Sequence, residues 1–303
     1  MLTPPLAIAF IGLGAMGRPM AANLARAQFR VRGFDLHENA RKKFANAAPQ
    51  AEVFASAREA AAGADALVLM VVDAGQAEDA LFQAGALEAL KADALVILMA
   101  TCAPQAVQEI AKRVAAAGRR FVDAPVSGGV VGAEAASLTI MIGAAKADAE
   151  AARPVLSALG SKLFHIGETP GQGALMKTLN QLLCGVHLAA AAEAFALAEQ
   201  AGIDKALALK ILSGSAAQSW MLNDRGPRML ESAPEVTSTV DIFVKDLGLV
   251  MDAGRSLNAA LPLSAAALQM FLAASGAGHG KADDSQVIRA YRALNGTARP
   301  AKE

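Results

Sequence analysis

Cysteine is nearly absent from the chain, and aromatic residues are scarce. Two cysteines in 303 residues, Cys102 and Cys184, make no disulfide framework, so a reducing cytosol is the expected compartment. Aromatics contribute 4% against 54% hydrophobic residues in all. The apolar mass is therefore mostly Ala, Leu and Val, which suits packed helices. An excess of either charge is missing too: 28 Lys and Arg balance 28 Asp and Glu, and no basic block occurs. That argues against nucleic acid or an anionic membrane surface as partner. The sequence holds no HExxH, no CxxC and no paired-His spacing, so no metal is expected. The start, MLTPPLAIAF, lacks a basic leader and runs straight into a glycine motif, which reads as no signal peptide. The segment Leu182 to Ala198 is apolar enough to consider as a membrane span. It carries His187 and Glu193 and is largely alanine, so a buried helix of a soluble protein is expected instead.

What is present is an alternation of short apolar runs and helical patterns. The length suffices for two domains. Leu6 to Ile11 reads as a buried strand, and Gly12-Leu13-Gly14-Ala15-Met16-Gly17 follows at once, ahead of the helical MAANLARA. Strand, glycine turn and helix in that order make a dinucleotide site. Gly12 allows the tight turn, Gly14 lets the backbone approach a pyrophosphate, and Gly17 lets the helix pack on the strand. The helix N-terminus then presents bare N–H groups and a positive dipole end to phosphate. A second strand, FRVRGF, ends at Asp35, about 18 residues past Gly17, where a ribose 2′-hydroxyl ligand belongs. A carboxylate there repels a 2′-phosphate, so NAD is expected over NADP, although Arg32, His37 and Arg41 stand close by.

Two more apolar runs, Asp65 to Val72 and Ala94 to Ala100, continue the pattern and predict a parallel sheet covered on both faces. Residues just past strand ends lie at the ligand crevice, which nominates Val71, Val72 and Gln76 on one edge of the cofactor and Thr101 on another. Gln76 and Thr101 serve equally well as helix-start residues. In RFVDAPVSGG a strand ends at Pro125 and a small polar loop, Ser127-Gly128-Gly129, follows. Its backbone N–H groups suit a carboxylate, and taken alone it is also an ordinary glycine turn. LTIMIGA and KLFHIG close this part of the chain near Gly167, which puts the domains at 1–167 and 168–303.

From Gly171 to Gln200 one long helix is expected, apolar around most of its circumference. One stripe of it is polar: Lys177, Asn180, Gln181, Cys184 and His187 recur at steps of three and four. Burial disfavours the charged form of a lysine, and one tuned in that way exchanges protons near neutral pH. A lysine that snorkels to water from a core helix is the bland alternative. Beyond this helix only helices are expected, among them VDIFVKDLGLVMDAGRSL, where Lys245 and Asp246 read as an ion pair on a solvated face. A terminal helix follows, with Asp283, Asp284 or Ser285 near its start.

Taken together, GLGAMGRPMAANL, DAPVSGG, GQGALMKTLNQ and VDIFVKDLGLV resemble, in order and spacing, the motifs of the β-hydroxyacid dehydrogenase family, relatives of 3-hydroxyisobutyrate dehydrogenase. The resemblance spans nearly the whole chain. It implies an α/β protein: an N-terminal Rossmann domain with a doubly wound parallel sheet, a long interdomain helix, and an all-α C-terminal domain that makes homodimers or homotetramers in the cytoplasm. It implies Lys177 as general acid/base and NAD as cofactor. It also implies Asn180 and the Ser127-Gly128-Gly129 loop as substrate ligands, with Gln181 beside them, and Thr101 and Lys245 against the cofactor. Two positions depart from the family pattern: Gln181 follows Asn180 where a second asparagine is common, and Ala100 precedes Thr101 where serine is usual. NQLLCGVHLAAAAEA, SWML and GKADDSQVI are most similar to the branch that oxidises L-threonate at C2. Action on 3-hydroxyisobutyrate or tartronate semialdehyde is the nearest alternative. An imine reductase and a non-catalytic NAD-binding regulator lie further off.

Overall fold

The computed structural model describes residues 6–296, so the first five residues of the start read above lie outside the described part. Two compact units divide the chain, Met1–Lys177 and Thr178–Glu303.

The first unit is built on one mixed sheet. Its strands are β1 (Ala7–Ile11), β2 (Arg30–Phe34), β3 (Glu52–Val53), β4 (Ala66–Leu69), β5 (Leu95–Leu98), β6 (Arg120–Asp123), β7 (Val126–Ser127), β8 (Thr139–Gly143) and β9 (Lys162–Gly167). The order across the sheet is β3-β2-β1-β4-β5-β6-β8-β7, with β9 paired to β8. From β3 to β6 all pairs are parallel. The chain winds outward from β1 through β2 to β3, then returns to start again at β4 on the other side. The direction of winding therefore reverses between β1 and β4, and a crevice opens at their carboxyl ends.

Alternation of side chains across the strands accounts for two cores. Ile8 and Phe10 of β1, Val68 of β4 and Ile97 of β5 pack on one face. Ala9, Ile11, Leu67, Leu69, Val96 and Leu98 pack on the other. A strand buried on both faces has to be apolar at every position, and these runs are. The helices that cover the sheet include α1 (Gly17–Arg26), α2 (Glu38–Ala47), α3 (Ala57–Ala61), α4 (Ala74–Glu78), α5 (Ala86–Ala89), α6 (Pro104–Ala116), α7 (Gly129–Glu134) and α8 (Lys146–Ser157).

Three local details differ from the sequence reading. The sheet is not parallel throughout, because β8 runs antiparallel to β6 and β7. The strand expected to reach Pro125 stops at Asp123, and Ser127 belongs to a separate short strand. The pair of residues in β3 was not anticipated, since two residues carry no periodicity.

A single helix, α9 (Gln172–Gln200), closes the first unit and opens the second. By length and hydropathy it could cross a membrane, and half of its most apolar stretch is buried within the protein. The rest of the second unit is helical: α10 (Lys205–Ser213), α11 (Trp220–Met229), α12 (Val240–Ser256), α13 (Pro262–Ala274), a 3-10 turn at Asp284–Val287, and α14 (Ile288–Leu294). Its core gathers Leu188, Ala192 and Phe195 from α9 with Phe243, Leu247 and Phe271. Phe243 and Phe271 stack with centroids 5.0 Å apart. Gly185 allows α9 to approach α12 closely: a Cβ there would lie 2.7 Å from Leu247. The buried Asp284 takes a two-pronged ion pair from Arg225, 2.7 and 3.1 Å, and Asp283 caps the 3-10 turn.

Candidate active site

The glycine turn lies at the sheet's reversal point, between β1 and α1. Gly12 has φ +95° and lies against the backbone of Met70, so a side chain there is excluded twice, by conformation and by space. Gly17 faces the carbonyl of Gly12, which a Cβ would overlap. Gly14 is the opposite case. A Cβ there would meet nothing within 4 Å, so the backbone faces open space. No side chain caps α1, and no acid occupies its first turn. Uncapped N–H groups, a positive dipole end and an open glycine approach fit a dinucleotide pyrophosphate.

Asp35 is tied into this turn. Its Oδ2 accepts from Leu13 N at 2.7 Å and its Oδ1 from His37 N at 2.8 Å. The carboxylate thus stands immediately beside the glycine loop, as a ribose ligand must. Arg32 is committed elsewhere: it donates to the carbonyls of Ala60 and Glu59 at 2.9 and 2.7 Å, and it stacks over Phe54. Arg41 donates to the Asp35 carbonyl at 2.6 Å.

The residues expected past strand ends are found there. β4 ends at Leu69, which leaves Val71 and the exposed Val72 in the crevice-side connection. Gln76 lies in α4, and its Oε1 accepts from Val72 N at 3.0 Å, bracing that connection. The helix-start role falls instead to Asp73, whose Oδ1 accepts from Gln76 N at 2.9 Å. Thr101 lies between β5 and α6, and α6 begins at Pro104, so Thr101 does not start a helix.

The segment after β6 is a strand-to-helix turn rather than an open loop. Ser127 ends β7, Gly128 has φ +133° and Gly129, at φ +61°, opens α7. Both glycines hold conformations that other residues rarely adopt. Lys177 stands in the second turn of α9 and is buried to 7% exposure. The snorkelling alternative therefore does not hold for this side chain.

Further along α9, within the second unit, a chain of polar groups leads to α12. Asn180 Nδ2 donates to Gln181 Oε1 at 2.9 Å and to Cys184 Sγ at 3.4 Å. Gln181 donates to Asp246 Oδ2, and Lys245 pairs with Asp246 Oδ1 at 2.7 Å. His187, at the far end of the stripe, is exposed. The solvated face expected for Lys245 and Asp246 is a correction to make: Asp246 is 3% exposed. It falls on the same helical face as Phe243, Leu247 and Val250, which are buried, so its burial was legible in the spacing.

Asp123 was not singled out from the sequence, although it is an acid inside an apolar run. Asp123 is 1% exposed, and its Oδ2 accepts from Gly171 N and Ala174 N, each at 2.9 Å. Burial pushes its carboxyl up to about 7, against the lowering effect of the N–H groups of Ala174, Gly171 and Gly173.

Comparison with known proteins agrees with this geometry. Residues 7–167 match the family described as the NAD binding domain of 6-phosphogluconate dehydrogenase. Residues 171–291 match the NAD-binding family of NADP-dependent 3-hydroxyisobutyrate dehydrogenase. The L-threonate dehydrogenase of Cupriavidus necator is 42% identical over 94% of this chain and 95% of its own length. That of Escherichia coli strain K12 is 40% identical over 95% of each. A crystal structure described as 3-hydroxyisobutyrate dehydrogenase from Salmonella typhimurium superposes with a TM-score of 0.88 at 41% identity, covering 93% of this chain and 98% of that one. Glycine turn, acid-tipped second strand, buried lysine and near full-length similarity converge, and the chain belongs to the NAD-dependent β-hydroxyacid dehydrogenases of the 3-hydroxyisobutyrate dehydrogenase type.

Proposed function

We propose that the protein oxidises L-threonate at C2 to 2-dehydro-L-erythronate, with Lys177 as general acid/base. The observation that carries this reading is the burial of Lys177 on α9, in a protein whose curated relatives at 40–42% identity are L-threonate dehydrogenases. NAD, held by the Gly12 to Gly17 turn and Asp35, supplies the hydride acceptor when bound. Lys177, as the neutral amine, takes the proton of the substrate hydroxyl as the hydride departs. In the reverse direction the same group returns that proton to the forming alkoxide. Ser127 and the N–H groups of Gly128 and Gly129 hold the substrate carboxylate and so fix the reacting carbon. On the family resemblance, Asn180, with Gln181 beside it, is assigned to the substrate and Thr101 and Lys245 to the cofactor; Val71, Val72 and Gln76 are assigned to the cofactor by their place past the end of β4. NAD is favoured over NADP because Asp35 brings a negative charge to the ribose position and Arg32 is engaged away from it. The lack of a disulfide framework and the similarity to bacterial metabolic enzymes support a cytoplasmic location, which cell fractionation would check.

Replacement of Lys177 tests the assignment. Lys177→Ala should leave NAD affinity within about twofold and lower kcat by about three orders of magnitude or more, at the strong end of the range for loss of an acid/base group. Near-normal turnover in that variant would contradict the role. A second reading, 3-hydroxyisobutyrate as substrate, is favoured by the description of the similar Salmonella structure and uses the same lysine.

A further inference from the structure

We propose that Asp123 is a positioning residue for Lys177: its carboxylate grips the first turn of α9 and sets the place of the lysine that follows. The proposal rests on the reading of Lys177 as general acid/base. The grip is specific in geometry. Oδ2 of Asp123 accepts from Gly171 N and from Ala174 N, each at 2.9 Å, so a single oxygen holds both the residue before α9 and its first turn. Gly171 takes φ +96°, the left-handed turn that aims its N–H inward. Asp123 pairs across the sheet with Gly143. A Cβ on Gly143 would lie 2.7 Å from Gly173 N and 3.2 Å from Asp123 Oδ2. A Cβ on Gly173 would overlap the Met141 carbonyl and lie 3.0 Å from the same oxygen. The ends of β6 and β8 and the start of α9 therefore meet with no room for one added methyl group.

The consequence for Lys177 follows from helical spacing. Gly173 and Ala174 lie four and three residues before Lys177, on the same face of α9 one turn earlier. Fixing their backbone fixes the phase of the helix at the lysine. The other side of Asp123 leads, four residues on, to Ser127 and the proposed carboxylate site. One buried carboxylate thus links the two groups that hold and deprotonate the substrate. A buried acid with backbone donors is costly to maintain, and burial here holds the carboxyl well above its ordinary range. An apolar residue would serve a purely packing role at lower cost.

A double-mutant cycle separates positioning from simple structural support. Asp123→Ala strands the N–H groups and is liable to unfold, so the decisive variant is Asp123→Asn, which keeps one acceptor oxygen and the side-chain shape. Turnover would be followed with L-threonate, or with 3-hydroxyisobutyrate should the wild type prefer it, alongside NAD affinity and thermal midpoint. In the Lys177 background, Asp123→Asn should lower kcat about 10-fold or more with NAD affinity within about twofold. In the Lys177→Ala background, measured in single turnovers at high enzyme concentration, the same change should alter the residual rate by less than about twofold. Asp148→Asn, which removes the Arg120 ion pair at 2.6 Å, is the control that touches stability in the same unit but not kcat. An equal loss from Asp123→Asn in both backgrounds, or no loss in the first, would overturn the positioning role alone. Near-normal turnover in Lys177→Ala would overturn the lysine reading and this proposal with it.

Discussion

Both carboxylate oxygens of Asp35 accept backbone hydrogen bonds, from Leu13 in the glycine turn and from His37 beyond it. These bonds hold the carboxylate still, at the mouth of the turn. A 2′-phosphate brought to that place meets a fixed negative charge, whereas a 2′-hydroxyl meets an acceptor. Asp35→Ala should therefore lower the ratio of kcat/KM with NAD to that with NADP by about 10- to 100-fold, the scale of one charge-assisted hydrogen bond. An unchanged ratio would place discrimination elsewhere, with Arg41 the next residue to test. At this scale the glycines and Asp35 were legible in the sequence because each has one conformational or chemical reason to exist. The partners of Asp123 and Asp246 were not, because they lie 48 and 65 residues away in the chain. Once the helical face of Asp246 is drawn, its burial follows from Phe243 and Val250; the identity of its partner Gln181 does not.

The strand, turn and helix from Ala7 to Arg26 form one device, and its tightest contact is Gly17 on the carbonyl of Gly12. A methyl group at position 17 cannot be accommodated by a side-chain rotation, because what it meets is backbone. α1 must move off β1, and the N–H groups at its start move with it. Gly17→Ala should cost about 2–3 kcal/mol, a fall of roughly 5–10 °C in thermal midpoint for a unit of this size. NAD affinity, read by fluorescence titration, should fall at the same time by about 10-fold or more, and a variant that keeps both would contradict the account. Elements of this kind were readable wherever the pattern was long. The long helix was expected at Gly171 to Gln200 and runs Gln172–Gln200. The antiparallel turn of β8 and the short β3 and β7 were not readable, since strand direction leaves no trace in a run of apolar residues.

At the scale of the whole molecule, one helix carries a row of exposed apolar side chains. Met176, Leu179, Leu183, Ala190, Ala194 and Leu197 are all exposed and recur along α9 at intervals of three, four and seven, an apolar stripe with the exposed His187 at its middle gap. Leu183 is 54% and Leu197 67% exposed. A stripe of that length suits a protein interface, and zero net charge offers no repulsion between copies. We propose that a second copy of the chain covers it. Leu183→Glu should convert the assembly seen by light scattering to monomer at micromolar concentration; an unchanged mass would place the interface elsewhere. The measurement that tests the central claim most directly is NADH formation, followed by absorbance, with the purified protein and a panel of hydroxy acids offered with NAD and with NADP. The account predicts turnover of L-threonate with NAD, well above that of 3-hydroxyisobutyrate or of glycerate, the alcohol partner of tartronate semialdehyde, and well above L-threonate with NADP. Turnover of another β-hydroxy acid in its place would contradict the assigned substrate, and NAD binding without turnover of any acid would contradict the enzyme mechanism itself.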